Sequence, residues 1–286
     1  MNQLAVSNSF WSRVSRRLRK NHAAMFGLVL VLGFICAATF ANVLAHYPID
    51  YAEDPNMLPS REHWLGTDSH GKDVLTRVIH GSRLSLLAGT VSIVLAIVIG
   101  VPLGAIAGYS GKKTDQLIMR SIDVALAFPS ILIALLVMAA LNRGWSSVII
   151  AVGLINIPIF ARQIRATVIT LKNQDYVTAA IASGANTFYV LTRVLFPGIT
   201  GPLIVLGTLG LGSAILEVAG LSFLGIGGDP TIPEWGGMLT EAKGTLTTTI
   251  WPALAPGIAI SLSILGLNLL GDGLRDALDP KLNHNK

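Results

Sequence analysis

Charge is what this chain has least of. Only 13% of its 286 residues are Asp, Glu, Lys or Arg, about half the share of an ordinary soluble domain. With 52% hydrophobic residues and a mean hydropathy of +0.62, that deficit excludes a water-soluble globular protein. Cysteine is confined to Cys36, so no internal disulfide can form. Cys36 lies in an apolar run and reads as a membrane-facing or packing side chain. No Gly-x4-Gly-Lys-Ser/Thr occurs, so the backbone loop that cradles nucleotide phosphates is missing. The histidines of the first polar connection, His63, His70 and His80, stand seven and ten apart, without zinc-ligand spacing. They read as solvated or hydrogen-bonded surface residues, and no metal site is expected. No catalytic Ser/His/Asp arrangement can be assembled either, so the chain is read as non-enzymatic.

What is present is a series of long uncharged runs. Ala23–Ala45 is 23 residues without a charge, enough to cross about 30 Å of hydrocarbon. Its basic flank resembles a signal peptide, but the run is long for one, and an uncleaved first span is expected. Further spans are expected at Leu84–Tyr109, Gln116–Leu141, Ser146–Thr167, Pro202–Leu224 and Ile250–Gly271. The fold class is therefore all-α, with six transmembrane helices in a lipid bilayer. Three segments are expected: 1–83, with the basic N-terminus, first span and an external segment; a core over 84–274; and a cytoplasmic tail over 275–286.

Gly100, Gly104 and Gly108 recur at four-residue spacing, which places them on one helix face and permits close interhelical contact. Pro102 is expected to kink that span. Lys72–Ser85 reads as an amphipathic rim helix with Val74, Leu75, Val78 and Ile79 on its apolar face. Trp235 and Trp251 suit a membrane–water interface. The net charge of +5 follows topology and forms no base-reading patch, so nucleic acid is excluded as a partner. With six spans and cytoplasmic termini, fifteen of the 21 Lys and Arg residues fall inside and six outside, as the positive-inside rule requires.

That topology puts residues 170–199 on the cytoplasmic side, where a small-residue island stands out. Tyr176, Ala180, Gly184 and Phe188 fall at helical spacing, with Ala179 and Ser183 beside them. Gly184 suits a helix end and Asn186 the cap of the next helix. The segment reads as a helix–turn–helix knuckle that docks another surface or packs on its own protein.

Thr178-Ala179-Ala180, Gly184 and Val194-Leu195-Phe196-Pro197 keep the spacing of a family signature. It is Glu-Ala-Ala, three residues, Gly, nine residues, Ile-x-Leu-Pro. The chain resembles the membrane subunits of ATP-binding-cassette importers of type I fold. His63-Trp64-Leu65-Gly66-Thr67-Asp68, Leu221-Ser222-Phe223-Leu224-Gly225, Pro233-Glu234-Trp235-Gly236 and the closing Gly271–Pro280 segment narrow the resemblance to the dipeptide, oligopeptide and nickel permease group, C-type subunit.

The resemblance implies a homologous second (B-type) permease, two ABC ATPase subunits that bind ATP and magnesium, and an external solute-binding protein in a bacterial inner membrane. It implies no cofactor in this chain. It also implies that Tyr176, Thr178, Ala179, Ala180, Gly184, Phe188 and Pro197 couple the ATPase to the spans. Thr178 replaces the family's glutamate. The substrate is a di- or oligopeptide, glutathione, nickel or a similar small solute.

Ionisable groups inside spans are costly and are functional candidates by default. Glu217 faces either the translocation path or a structural helix contact. Asp123 is a further path candidate, for which the structural reading is the favoured one. Asn156 is a path candidate or an interhelical hydrogen-bond partner. An ion-coupled secondary transporter is the rival reading, but no inverted repeat is visible. A non-transporting membrane scaffold leaves the ordered motifs without a purpose.

Overall fold

The computed structural model describes residues 10–142, 144–228 and 231–278. Residues 1–9, Arg143, Asp229, Pro230 and most of the expected tail, including Asp279, Lys281 and Lys286, lie outside the described residues. The chain is helical nearly throughout. Among the described residues the only strand-like pairing is two isolated bridges, Ala52 with Lys72 and Thr67 with Asp73.

Helix α1 (Phe10–Lys20) leads into α2 (His22–Thr39), whose N-cap Asn21 accepts from the Ala24 amide at 3.1 Å. After a short α3 (Ala41–Leu44) and the polar segment 46–73 comes α4 (Val74–Tyr109), 36 residues long. Then follow α5 (Lys112–Ala127), α6 (Ser130–Leu141) and α7 (Trp145–Leu171). The knuckle supplies α8 (Asp175–Ala182) and α9 (Thr187–Tyr189), and a π-helical turn over Val190–Leu195 joins α9 to α10 (Phe196–Leu221). A second π turn, Ser222–Ile226, precedes α11 (Trp235–Ala242) and α12 (Trp251–Leu278). Among the described residues, five helical stretches are long and apolar enough to cross a membrane, and the bent pair α5–α6 makes a sixth when it counts as one span.

The glycine stripe has the role its spacing suggests. A Cβ on Gly100 would lie 2.9 Å from the Ile157 carbonyl oxygen, and one on Gly108 would lie 2.8 Å from that of Arg165. Gly104, between them, meets the Ala161 carbonyl still more closely. Three glycines a turn apart on α4 therefore lie against three carbonyls a turn apart on α7, and no side chain separates the two backbones. The central core, with Phe160, Val148, Val152, Ile93, Ala214 and Val218, builds outward from this contact.

Cationic side chains close several helix ends, where carbonyls lack partners. Arg83 donates to the Ala38 and Thr39 carbonyls of α2 at 2.6 and 3.3 Å, and Lys172 donates to Gly108 of α4 at 2.7 Å.

Three expectations need correction, and Pro197 needs an account. Lys72–Ser85 is no separate rim helix. Asp73 caps Val74 onward and the helix runs unbroken to Tyr109, with Thr76 and Arg77 buried because Arg77 finds carboxylate partners inside. The third span is not straight: α5 and α6 meet at 93°. Pro129 forces Phe128 into extended backbone there. Pro197 does not interrupt the helix, because the π turn before it supplies a Phe196 amide to Leu191 carbonyl bond and the proline falls at the first turn of α10. Trp235 is no interface residue. It is fully buried, its Nε1 donates to the Val78 carbonyl at 3.0 Å, and Phe34 meets it edge-on at 5.5 Å.

Candidate functional site

Three regions carry the candidate residues: the knuckle, a cavity around Glu217, and the polar segment 46–73 with its attachment to the bundle.

In the knuckle, Gly184 ends α8 with φ +90°, a region where other L-residues are strained. Asn186 then accepts from the Tyr189 amide at 2.8 Å and starts α9. The sequence therefore dictates a sharp turn between two short helices. Val177, Val190 and Leu195 are fully buried against Val101 of α4, Ile164 and Val168 of α7, and Ile199 of α10. Each such burial contributes about 1.5–3 kcal/mol relative to exposure, so the inner face is fixed to the spans.

The outer face is bare. Phe188 is 75% exposed, Tyr176, Ile181 and Tyr189 are each about half exposed, and Thr178, Ala179 and Gly184 are also at the surface. Gly184 divides the stripe, leaving Tyr176 and Ala180 on α8 and Phe188 on α9. Apart from its chain neighbours, no described residue lies within 4 Å of a Cβ built on Gly184, so its smallness serves the turn and not a contact among the described residues. Pro197 is exposed at the junction with the span.

Glu217 borders a cavity of about 310 Å³ between α6, α7 and α10, lined also by Ser130, Ala134, Ile155 and Phe223. The α5–α6 bend brings α6 to this space. Asn156, 2% exposed, donates to Glu217 Oε2 at 2.8 Å and to the Val152 carbonyl at 2.9 Å. Both readings of Glu217 thus meet in one place: a carboxylate in a helix contact that also faces open space. Asp123 is elsewhere. It is largely exposed and takes a 2.7 Å bond from Arg162, itself exposed. Its neighbour pair, Arg165 with Asp115, is bidentate at 2.5 and 2.6 Å.

The polar segment 46–73 holds a polar core that sequence reasoning missed. His63 is fully buried, not a surface residue. Nδ1 lies 2.9 Å from Asp73 Oδ1 and Nε2 lies 3.2 Å from Glu53 Oε2, while Tyr47 stacks on the ring at 4.7 Å. Burial pushes the His63 pKa down, but hydrogen bonds to Asp73 and Glu53, with their charges, outweigh it and leave the pKa raised. Glu53 is held low by hydrogen bonds from Tyr51 and His63. Asp73 meanwhile caps α4 through the Thr76 amide at 2.7 Å, which ties the histidine to the start of the span.

Arg77, also buried, bonds Asp68 of the segment and Glu241 of α11. His70 completes a trio with Asp68 and Glu241 whose donor atoms lie within 4.8 Å of one another; both carboxylates already hold the guanidinium. Glu234, 2% exposed, caps α11 by accepting from the Gly236 and Gly237 amides at 2.9 and 2.8 Å. Burial raises its pKa against those bonds and the Ser222 and Ser85 hydroxyls. The early Arg, four residues into a helix after a capping Asp, was the available signal for this network; its partner Glu241 lies 164 residues away.

With this geometry in place, comparison with known proteins identifies the class. The profile of binding-protein-dependent transport system inner membrane components matches residues 100–284, and that of the N-terminal transmembrane domain of oligopeptide transport permease C matches residues 9–59. The chain belongs to the family of binding-protein-dependent transport system inner membrane components and is a multi-pass ABC-importer permease subunit.

Among its relatives, the dipeptide transport system permease protein DppC of Alkalihalophilus pseudofirmus is 42% identical over 95% of this chain and 90% of its own. The glutathione transport system permease protein GsiD of Pectobacterium atrosepticum is 42% identical over 95% and 91%. The di/tripeptide permease DppC of Pseudomonas aeruginosa is 41% identical over 96% and 92%. A solved structure of the inward-facing MetNI methionine ABC transporter shares the fold, with a TM-score of 0.60 and 17% identity over 71% of this chain and 96% of that one.

Proposed function

We propose that this chain forms part of the translocation path of an ATP-driven importer for short peptides and is driven through its 176–190 knuckle. The observation that carries the coupling role is the knuckle's two-sidedness. Val177, Val190 and Leu195 lock its inner face to α4, α7 and α10, while Tyr176, Ile181, Phe188 and Tyr189 stand bare on the outer face. Force applied outside is carried to the spans by packed side chains with little give. ATP binding would close two partner ATPases on this surface and open the spans outward, and hydrolysis would reset them.

ATP and magnesium belong to those partners, and this chain performs no catalysis. A homologous permease completes the path and an external binding protein delivers cargo. The N- and C-termini lie in the cytoplasm of a bacterial cell, so a reporter fused after Lys172 should read cytoplasmic. Residues 84–274 form the permease core, with 170–199 as its coupling loop. Di- and tripeptides are the favoured cargo because DppC relatives match at 41–42% over nearly the whole chain. Glutathione, itself a tripeptide, is the second reading, supported by GsiD at 42%.

The test is uptake of labelled alanyl-alanine and glutathione by proteoliposomes holding the whole complex and its binding protein. ATP-dependent accumulation of either supports the reading. Failure of both, with nickel or another solute imported instead, overturns the cargo assignment.

A further inference from the structure

The cavity beside Glu217, about 310 Å³, falls within the roughly 300–1,000 Å³ range of small-ligand sites. Ile131 of α6, Ile155 of α7, Leu221 of α10 and Phe223 and Leu224 of the π turn supply its apolar walls. Apart from Glu217 and Ser130, its lining side chains hold no polar atom, and Glu217 is the one ionisable residue among them.

That carboxylate is only half committed. Asn156 donates to Oε2 at 2.8 Å and gives its other amide hydrogen to the Val152 carbonyl at 2.9 Å. A neutral donor therefore fixes the direction of the group without balancing its charge. Among the described residues nothing donates to Oε1, and no cation pairs with Glu217. Of the three helices around the cavity only α7 carries Arg or Lys, and its Arg162 and Arg165 are paired with Asp123 and Asp115. Lys243 lies over the Phe223 ring, but its Nζ donates to the Phe223 carbonyl at 2.6 Å. An aimed, unbalanced charge among apolar walls is stabilised by an arriving cation.

The shape of that cation follows from the walls. One carboxylate and one hydroxyl fall short of the six or more oxygens a calcium or magnesium ion takes, and no imidazole or thiolate is present for a transition metal. An ammonium group on an apolar body matches both parts of the space. It brings N–H donors to Oε1 in a charge-assisted bond and lays hydrocarbon against Ile131, Ile155 and Phe223.

We propose that this cavity receives the N-terminal residue of a short peptide in transit, with Glu217 Oε1 accepting from its ammonium group and the apolar walls surrounding its side chain. This rests on the peptide-importer reading above, and adds a contact in this subunit that reads the free amino end. A peptide whose amino group is acetylated offers no cation and is not held. An acidic first side chain is disfavoured by the same carboxylate.

The test uses the whole nucleotide-free complex in proteoliposomes, without its binding protein, so that selection upstream does not enter. In a Cys36→Ala background, Ile131→Cys should be modified by methyl methanethiosulfonate more slowly as alanyl-alanine is added, and at an unchanged rate with N-acetyl-alanyl-alanine. Adding Glu217→Gln, which keeps the shape, should raise the alanyl-alanine concentration needed for half protection about ten- to a hundredfold, the worth of one hydrogen bond to a charged group. Glu217→Asp, which restores the charge, should recover part of the loss. Wild-type complex that imports no peptide with its binding protein present overturns the importer reading and this site with it. Peptide import with no protection at position 131, or with equal protection by the acetylated peptide, overturns this site alone. Unaltered protection in Glu217→Gln, with less of the second permease co-purifying, assigns the carboxylate to an ion pair between subunits and likewise overturns the site.

Discussion

Gly104 lies directly against the carbonyl of Ala161: a Cβ placed there would stand 3.0 Å from the Ala161 carbonyl carbon and closer still to its oxygen. With Gly100 and Gly108 it forms the contact that sets the distance between α4 and α7, the pair on which the central core is built. Gly104→Ala forces backbone against backbone, and neither can rotate away. The expected loss is about 1–3 kcal/mol, the usual cost of overpacking, read as a lower unfolding temperature of the purified subunit in detergent. Gly257→Ala is the control, since nothing lies within 4 Å of its Cβ and alanine is the better helix former. Equal effects of the two substitutions would remove the close contact as the explanation.

The turn at Gly184 and the ring of Phe188 make separable demands. Position 184 needs a left-handed backbone, which costs an ordinary L-residue about 1–2 kcal/mol and Asn less. Gly184→Ala should therefore impair ATP-coupled uptake more than Gly184→Asn. Phe188 is 75% exposed, so Phe188→Ala should leave the subunit's unfolding temperature within a degree or two while reducing co-purification of the ATPase. Undiminished co-purification would remove Phe188 from the docking surface.

How much of this was legible follows from the range of the interactions. The glycine stripe, the knuckle's turn and its Asn186 cap are set by residues within one or two helical turns, and their spacing announces them. His63, Arg77 and Trp235 were not legible. Each is buried by partners from other elements: Glu53 and Asp73 for the histidine, Glu241 for the arginine, Val78 and Phe34 for the indole. A polar side chain with such partners leaves the same local pattern as a solvated one. Asn156 and Glu217 sit between these cases: each was singled out as a polar group in an apolar run, but only the folded chain joins them.

That pair yields a charge-specific prediction. Glu217→Gln keeps the shape and the amide donation from Asn156, and removes only the negative charge facing the 310 Å³ cavity. Folding and ATPase assembly should persist while peptide uptake changes in rate or KM. Glu217→Ala, which takes away the acceptor, should in addition destabilise the subunit by about 1–3 kcal/mol. Unaltered uptake of every imported peptide in Glu217→Gln would assign the carboxylate to helix packing.

The His63 cluster makes the polar segment 46–73 sensitive to pH, with a definite sign. The folded pKa of His63 is raised above its ordinary 6.5, so its charged form adds stability that is fully present below that value and is lost as pH climbs through the raised pKa. Glu53 is lowered from 4.5; its contribution is present above 4.5 and disappears as pH falls through the lowered value. The segment should therefore be firmest between 4.5 and 6.5 and loosen in alkaline buffer. Amide hydrogen exchange over residues 50–73, corrected for intrinsic rates, should be slower at about pH 6 than at about pH 8.5. His63→Gln keeps a hydrogen-bonding side chain but cannot carry the charge, so it should flatten that difference. Equal protection at both pH values in the wild type would mean that the histidine stays neutral between its two carboxylates. The cluster would then hold the segment by hydrogen bonding and ring stacking alone.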